Sequence, residues 1–592
     1  MATYYVDATG GADGNTGLSS GSAWQTLTKV NSITYSPGDS ILFKKGEIWY
    51  GSIVVGASGN AINPITYSSY GTGAKPRIEG GILISAGSWT KTAGRTNVYE
   101  ASIAGYNLDS VFAGLFGTVW YGADYRWMDL VASVALVDAT ARTCYYDTAT
   151  DKIYVNTATS SNPASDGDTY YISGYDTGIL VNGKSYITID DISFRRMSAH
   201  YILPFDVTTT PWPVGTGIQM TDCEGYGVRH NGFSIGGDKM ILTDCIVHYS
   251  GGQGGAFVIA DLTNYPGVGQ TRRTSGVVLT RCGVASDSVV WAPGVYDPKA
   301  ILMEFDPMNL TINDFTLAGQ QSYGFYDVDA TYATENITIN GFYITGTVTQ
   351  SAVISYRTVG LSVSRLRMSN RSSVAVDIYN TVGFTLKQSR VLATNFGVRL
   401  DGTYSNVKTN YNIIDSQQYC YVINSGVGSE NYNNVIYGAA VFGVAFVGTP
   451  GTHIFKNNIF ESCVSAITLG ALGSVLFDYN MGHNLTYWWL TNSLAVWQSA
   501  SATQCDPHSS EADPKFISLL QKDFRILSNS PCISAGASVS LLNDFDGMGV
   551  KTSPDIGAYE YASRYLVPMP RLVATNRLIA GTRLTAGVRS VV

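Results

Sequence analysis

The chain has 592 residues, 63 of them Gly and 39 Tyr, with only 14% charged side chains and a mean hydropathy of +0.05. A net charge of -8 and a pI near 5.3 argue against a nucleic-acid partner, since nothing in the chain resembles a basic stripe, and no stretch approaches the length of a membrane span. The 8 Cys are scattered and read as small core hydrophobes, not as a disulfide framework or a metal site.

Residues 1–85 read as the cap and first coils of an elongated β structure. The start, Met1-Ala2-Thr3-Tyr4-Tyr5-Val6-Asp7, has neither a basic region nor an apolar core, so no secretory signal is expected in it. A Gly/Ser/Asn-rich turn leads to Trp24-Gln25-Thr26-Leu27, then Pro37-Gly38-Asp39-Ser40-Ile41-Leu42-Phe43 and Gly51-Ser52-Ile53-Val54-Val55. With its Tyr-Tyr-Val strand, Trp-x-Thr-Leu segment and Pro-Gly-Asp turn, this stretch resembles the right-handed parallel β-helix proteins of the pectate-lyase-like type. That resemblance implies a fold. Its members include polysaccharide lyases, glycoside hydrolases, epimerases and phage tailspikes, so the chemistry has to come from the site.

Residues 86–180 read as a β-rich insertion packed on the side of the helix. Trp89, Trp120, Tyr121, Trp127, Tyr145, Tyr146 and Tyr154 alternate with turns there. They fit the insertion's own core better than a sugar platform.

The main β-helix is expected over residues 181–490, where one phrase recurs from Ser185 to about Leu485. β-Favouring residues precede a small polar pair and one buried residue, as in Ile187-Thr188-Ile189-Asp190-Asp191-Ile192 and Ile241-Leu242-Thr243-Asp244-Cys245. That last residue falls on Ile192, Cys223, Cys245, Cys282, Phe315, Phe342, Leu366, Ser389, Asn412, Asn434, Asn458 and Asn480. From Phe342 on, the spacings are 24, 23, 23, 22, 24 and 22. An even period of this size signals a solenoid, and one period holds about three short strands. A β-sandwich would explain the strands but not the spacing. The fold class expected is all-β: a right-handed parallel β-helix of about twelve or more coils, with the three Cys stacked and the four Asn hydrogen-bonded along the axis.

Between Ile192 and Phe315 the intervals are 31, 22, 37 and 33, so the excess must leave the coil as loops. Those loops carry Leu203-Pro204-Phe205, Pro211-Trp212-Pro213, Asn264-Tyr265-Pro266-Gly267 and Trp291-Ala292-Pro293-Gly294-Val295-Tyr296. Loops on rigid scaffolds carry function, and aromatic faces suit the apolar faces of sugars.

Beside them lies the strongest chemical signal. Phe305 stands between Glu304 and Asp306, Val328 between Asp327 and Asp329, Ile378 between Asp377 and Tyr379, and Leu400 between Arg399 and Asp401. A period of two turns the apolar residue inward and its neighbours outward. Stacking then predicts an outer column of Glu304/Asp306, Asp327/Asp329, Tyr356-Arg357, Asp377/Tyr379 and Arg399/Asp401. Glycosidic hydrolysis needs a protonated and an ionised carboxyl, and rungs about 4.8 Å apart bring such pairs within reach. The catalytic pair is expected among Glu304, Asp306, Asp327 and Asp329. Asp377, Arg357, Arg399, Tyr326, Tyr356, Tyr379, Trp291, Tyr296, Lys299 and Trp212 are expected to hold substrate. Clustered carboxylates also suit calcium; apart from that reading, no cofactor is expected.

A competing set is Arg229-His230-Asn231 with Lys239 and His248, which would serve a lyase acting on uronates. The chain lacks the adjacent Lys and Arg, framed by acidic calcium ligands, that resemblance to alginate-lyase-like proteins would require.

Residues 491–562 resemble the closing module of secreted or surface β-helix proteins, with Asp544-Phe545-Asp546-Gly547 as a turn and not an EF-hand loop. In 563–592, Arg571, Arg577, Arg583 and Arg589 recur every six residues, as do Ala574, Ala580 and Ala586. Such a hexad tail, if ordered, suits a three-chain stem similar to those of phage tail proteins, the alternative being disorder. The sequence thus reads as a polysaccharide depolymerase resembling phage tailspike enzymes, an endo-glycosidase acting on a capsular or other extracellular glycan. Its expected setting is a virion tail or the extracellular space, as a homotrimer with other tail proteins as partners. A β-eliminating lyase and a non-catalytic glycan-binding adhesin are the alternatives.

Overall fold

The computed structural model describes residues 1–104, 119–122, 126–208, 210–250, 254–261, 273–285, 297–305, 307–327, 333–468, 475–489, 493–500 and 507–561. Among them, 39 strands join in one system in which each strand pairs in parallel with its counterpart one coil away. The result is a right-handed parallel β-helix with three faces. Ile187–Asp190, Gln219–Thr221, Ile241–Thr243 and Val278–Thr280 begin the first face of the main run, and Ser193–Met197, Glu224–Val228 and Ile246–Ser250 the second. His200–Leu203, Phe233–Ile235, Gly255–Asp261, Lys299–Phe305, Gln320–Asp327, Thr347–Tyr356 and Ser372–Tyr379 follow one another up the third. No helix among the described residues is long and apolar enough to cross a membrane.

The recurring polar pair has a backbone cause. The residue just before each buried marker takes a left-handed conformation: Asp191, Asp222, Asp244, Arg281, Asp314, Arg365, Gln388, Tyr411, Asn433, Asn457 and Tyr479 have φ between +50° and +57°. Gly341 fills the same position at φ +92°. Asp and Asn tolerate this corner, and the turn drives the next side chain into the core. Cys223, Cys245 and Cys282 stack there at 0–1% exposure.

The Asn residues form the expected ladder. Asn412, Asn434 and Asn458 each donate from Nδ2 to the Oδ1 of the next Asn at 3.0 Å. The Oδ1 atoms of Asn434, Asn458 and Asn480 also accept the backbone N–H of the preceding rung at 2.9–3.0 Å, and the Nδ2 atoms of Asn412, Asn434 and Asn458 each have a second bond to a carbonyl. Fully paired amides in a dry core stabilise, whereas unpaired ones would cost.

Between Gly81 and Ser173 the chain leaves the coils and builds two largely antiparallel sheets. Trp89, Trp120, Tyr121 and Trp127 are all at most 8% exposed, as expected of core residues, whereas Tyr145, Tyr146 and Tyr154 are only half-buried. The helix resumes at Thr177–Leu180, which pairs with Ile53–Val54 of the preceding coil. At the other end Ser510–Glu511 adds a strand to the second face. Residues 512–561 then fold back onto that face, setting Phe524, Ile526, Phe545 and Tyr559 against Tyr411, Ile413, Val435 and Ile459. Corner side chains fix this module: Asn433 donates to the Asp555 carbonyl at 2.8 Å, Asn457 to Ala537 at 2.8 Å and Gln388 to Asp544 at 2.6 Å. The hexad tail over 563–592 lies outside the described residues.

Candidate functional site

The third face presents three outward rows. The first holds Lys299, Tyr323, Ser351, Val374, Phe396, Tyr419 and Phe442 in successive coils. The second holds Leu302, Tyr326, Ile354, Asp377 and Arg399. The third includes Tyr356, Tyr379 and Asp401, and Glu304 belongs to it by strand alternation. Small or compact residues (Ala300, Gly324, Ala352, Ala375, Gly397, Cys420) separate the first row from the inward column Ile301, Phe325, Val353, Val376 and Val398. At Gly324 a Cβ would stand 2.4 Å from the Ala352 carbonyl oxygen, so the strand can bend there only without a side chain.

Along the rows short, buried side chains lie between longer, half-buried ones, a size pattern that implies a depression. Ser351, Val374, Ile354 and Asp377 form its floor at 2–8% exposure. The larger Lys299, Tyr323 and Tyr326 stand on one side, Phe396 and Arg399 on the other, and Tyr356 and Tyr379 along the third row. The Lys299 ammonium lies 5.1 Å from the Tyr326 ring, and Tyr323 meets Tyr326 edge-on at 4.4 Å. Tyr323 donates to Gln350 Oε1 at 2.6 Å, and Gln350 donates to Asp297 at 3.1 Å. Tyr356 and Tyr379 stack at 4.3 Å.

The charges on this face are coupled. Arg399 grips both oxygens of Asp377, at 2.7 and 2.5 Å. Burial pushes the Asp377 carboxyl above its usual range, with Arg399 pulling against it. Burial lowers the Lys299 ammonium, opposed by Asp297 and Glu304, so two carboxylates act on one cation. Tyr323 is pushed up to about 12 by burial, with smaller contributions from Tyr326, Asp297, Tyr356 and, two coils away, Asp377.

The outward column of acids expected from the sequence is corrected in register. Met303 pairs with Asp327, which pairs with Ser355, and that row continues through Ile378 and Leu400 in the core. Asp327 therefore points inward, 1% exposed, and accepts from Thr334 at 2.8 Å, Ser355 at 3.2 Å and Thr358 at 2.5 Å. An inward carboxylate sealed by three hydroxyls cannot reach a substrate on the outer face. Phe305 is not a core residue either: it is half-buried at a left-handed corner with φ +63°. Glu304, Asp377, Tyr326, Tyr356, Tyr379, Lys299 and Arg399 do share the outer face, whereas Arg357 sits exposed at the next corner, with φ +56°. Asp306, Asp329, Trp291 and Tyr296 lie outside the described residues.

Trp212 packs on Phe205 at 6.1 Å, over the small cluster of Leu203, Phe205 and Val214. The set proposed for a lyase is dispersed. His248 stacks on Tyr226 at 4.1 Å in the outer row of the second face, Lys239 occupies a left-handed corner, and Arg229 and Asn231 are 7% exposed. His230 instead faces His200, ring to ring at 6.2 Å, and His200 Nδ1 lies 2.6 Å from Ser234 Oγ. Burial holds His200 down to about 3, too weak a base to activate that hydroxyl.

Residues absent from the sequence-based site are Tyr323, Gln350, Asp297 and Phe396. A readable signal was the small residue just after Tyr323 and Phe396 and just before the inward Phe325 and Val398. It marks a bend that turns the preceding side chain outward. Among the described residues no group of three or more His, Cys, Asp or Glu is placed to hold a metal ion.

No family profile matches the chain. It is 42% identical over 73 residues to a lacto-N-biosidase of Bifidobacterium longum subsp. longum, a match spanning 12% of the chain and 5% of that protein. Among solved structures it is similar to a complex of XylC with xylose (13% identity, TM-score 0.44, covering 95% of this chain and 98% of that one). A structure described as a glycoside hydrolase matches at 11% identity and TM-score 0.39, covering 83% and 97% of the two chains. Tailspike protein 3 of bacteriophage CBA120 matches at 9% identity and TM-score 0.33, covering 80% and 56%.

Proposed function

We propose that the chain is a polysaccharide-cleaving enzyme that holds its substrate across the third face between Lys299 and Arg399 and cuts it by hydrolysis. The observation that carries this reading is the grouping of Tyr323, Tyr326, Tyr356, Tyr379 and Phe396 around the short residues Ser351, Ile354 and Val374 and the Asp377–Arg399 pair. Aromatic walls cover the apolar faces of sugar rings, while fixed charges and phenol hydroxyls bond their hydroxyl groups. Glu304 supplies one carboxylate of the pair, with its partner drawn from Asp297, Asp306 and Asp329. Arg399, held by Asp377, positions sugar. An extracellular or virion-tail setting and trimeric assembly through 563–592 belong to the same proposal.

Lys299 favours a second reading. A half-buried ammonium shifted toward its neutral form, beside Tyr323 and Tyr326, suits the proton abstraction of a lyase. The test is to incubate the protein with a panel of bacterial and plant polysaccharides while following chain length, reducing ends and ultraviolet absorbance together. Shortening without absorbance, lost in Glu304→Gln, supports hydrolysis. Shortening with absorbance, lost in Lys299→Met, replaces it with β-elimination. Binding without shortening makes the protein an adhesin.

A further inference from the structure

We propose that Phe396, Tyr419 and Phe442 form a track for an extended, uncharged glycan, continuing the active site along the helix axis. This rests on the reading of that site as glycan-cleaving.

The three residues occupy the same outward row in consecutive coils, each half-buried. Their ring centroids are 5.6 and 6.2 Å apart, with the planes tilted by 42° and 36°. The adjacent row holds Val422 and Ala445, 7% and 4% exposed, so the rings stand above a low apolar floor. Scattered surface aromatics need no explanation, but an ordered file of them beside a polar depression does. Continuity is physical: the Arg399 guanidinium lies 5.0 Å from the Tyr379 ring and 5.6 Å from the Phe396 ring, bridging depression and track. With about 4.8 Å per coil, the row from Tyr323 to Phe442 spans roughly 24 Å, enough for several sugar units lying along the axis.

The chemistry points to an uncharged chain. Beyond Arg399, the described outward residues of these coils are Phe396, Tyr419, Phe442 and Ser465 in the first row, Val422, Ala445 and Thr468 in the second, and Asp401, Asn424 and Val447 in the third, with no cation among them. Arg399 itself is committed to Asp377 through both carboxylate oxygens. Among the described residues a uronate would find no positive partner there, whereas the exposed Gln418, one residue before a track ring, offers its amide to hydroxyl groups, as does Asn395 with what its bond to Ser373 Oγ leaves over.

The experiment measures binding of full-length protein to neutral xylo-, manno- and gluco-oligosaccharides of three to ten units, with oligogalacturonates of the same lengths. Affinity for a neutral series is expected to rise with length. Phe442→Ala and Tyr419→Ala should each cut the long-to-short affinity ratio about tenfold, and Phe442→Tyr should retain it. Length-dependent binding that both alanine variants leave intact would overturn the track while sparing the active site. Preference for oligogalacturonate would overturn the uncharged assignment. Self-association of the protein abolished by Phe442→Ala would make the row a contact between copies and overturn the proposal. If no oligosaccharide or polysaccharide binds or is cut, the glycan reading itself fails.

Discussion

Asp377 and Arg399 face each other across one rung of the third face, with the carboxylate 2% exposed and both its oxygens taken by one guanidinium at 2.7 and 2.5 Å. The pair stands in the row that continues through Val422 and Ala445, so nothing else nearby in that row can neutralise the acid.

Removing Arg399 leaves that buried charge uncompensated. Arg399→Ala is expected to destabilise the fold by about 3–5 kcal/mol, read from denaturant unfolding. Asp377→Asn with Arg399→Met should recover much of the loss, because the cost lies in the unpaired charge. Equal destabilisation in the double variant would contradict this account.

Glu304 and Asp327 should part company. Glu304→Gln is expected to lower kcat by orders of magnitude at an unchanged melting temperature. Asp327→Ala takes away the acceptor shared by three hydroxyls inside the helix, which keep only their bonds to one another, so it should cost about 1–3 kcal/mol while the molecules that remain folded keep their turnover. A kcat collapse in a stably folded Asp327→Ala protein would return that residue to the site.

The Asn ladder predicts a large effect from one amide. Asn458→Ala removes two bonds donated by its Nδ2 and two accepted by its Oδ1. The expected cost is roughly 2–5 kcal/mol, concentrated in the coils between Asn412 and Asn480 and visible as faster amide exchange there. A uniform change along the helix would argue against a local ladder.

The closing module should loosen as pH rises. Burial, with the charge of Asp555 next, pushes Glu560 up to about 7, and burial raises Asp544 to about 6. Tyr411, Lys551, Asp555 and Asp544 are the groups that face Glu560. Raised carboxyls hold protons in the fold that the unfolded chain has released, so their stabilising contribution is complete below about pH 4.5 and is lost as pH rises through 6 to 7. His453 and His200, depressed by burial to about 4 and about 3, act with the opposite sign below pH 6.5. The informative quantity is therefore the difference between wild type and Glu560→Gln. Proteolysis of residues 512–561 should accelerate from pH 5 to 8 in the wild type and much less in the variant.

Much of the architecture was legible in the residues. Strand alternation, left-handed corners filled by Asp and Asn, and buried markers every 22 to 24 residues from Phe342 on are local features. They repeat because each rung solves the same backbone problem. The ladder from Asn412 to Asn480 followed from that spacing, since side chains at one position of successive rungs must meet.

The site was legible only in part. Asp377, Tyr379, Arg399 and Tyr356 lie beyond the irregular starts of their strands, and counting by two gave their faces correctly. Asp327 did not follow, because third-face register is set across loops of unequal length and across the irregularity between Gln321 and Tyr323. With a period of two, a slip of one residue exchanges inside and outside. Sequence alone therefore determined the coil, its corners and its internal ladders, where each interaction is made within a rung or with its neighbour. Which acids reach solvent, and which aromatic residues wall the depression around Asp377, was decided only by tertiary stacking, because inter-strand pairing fixes a register that no single strand encodes.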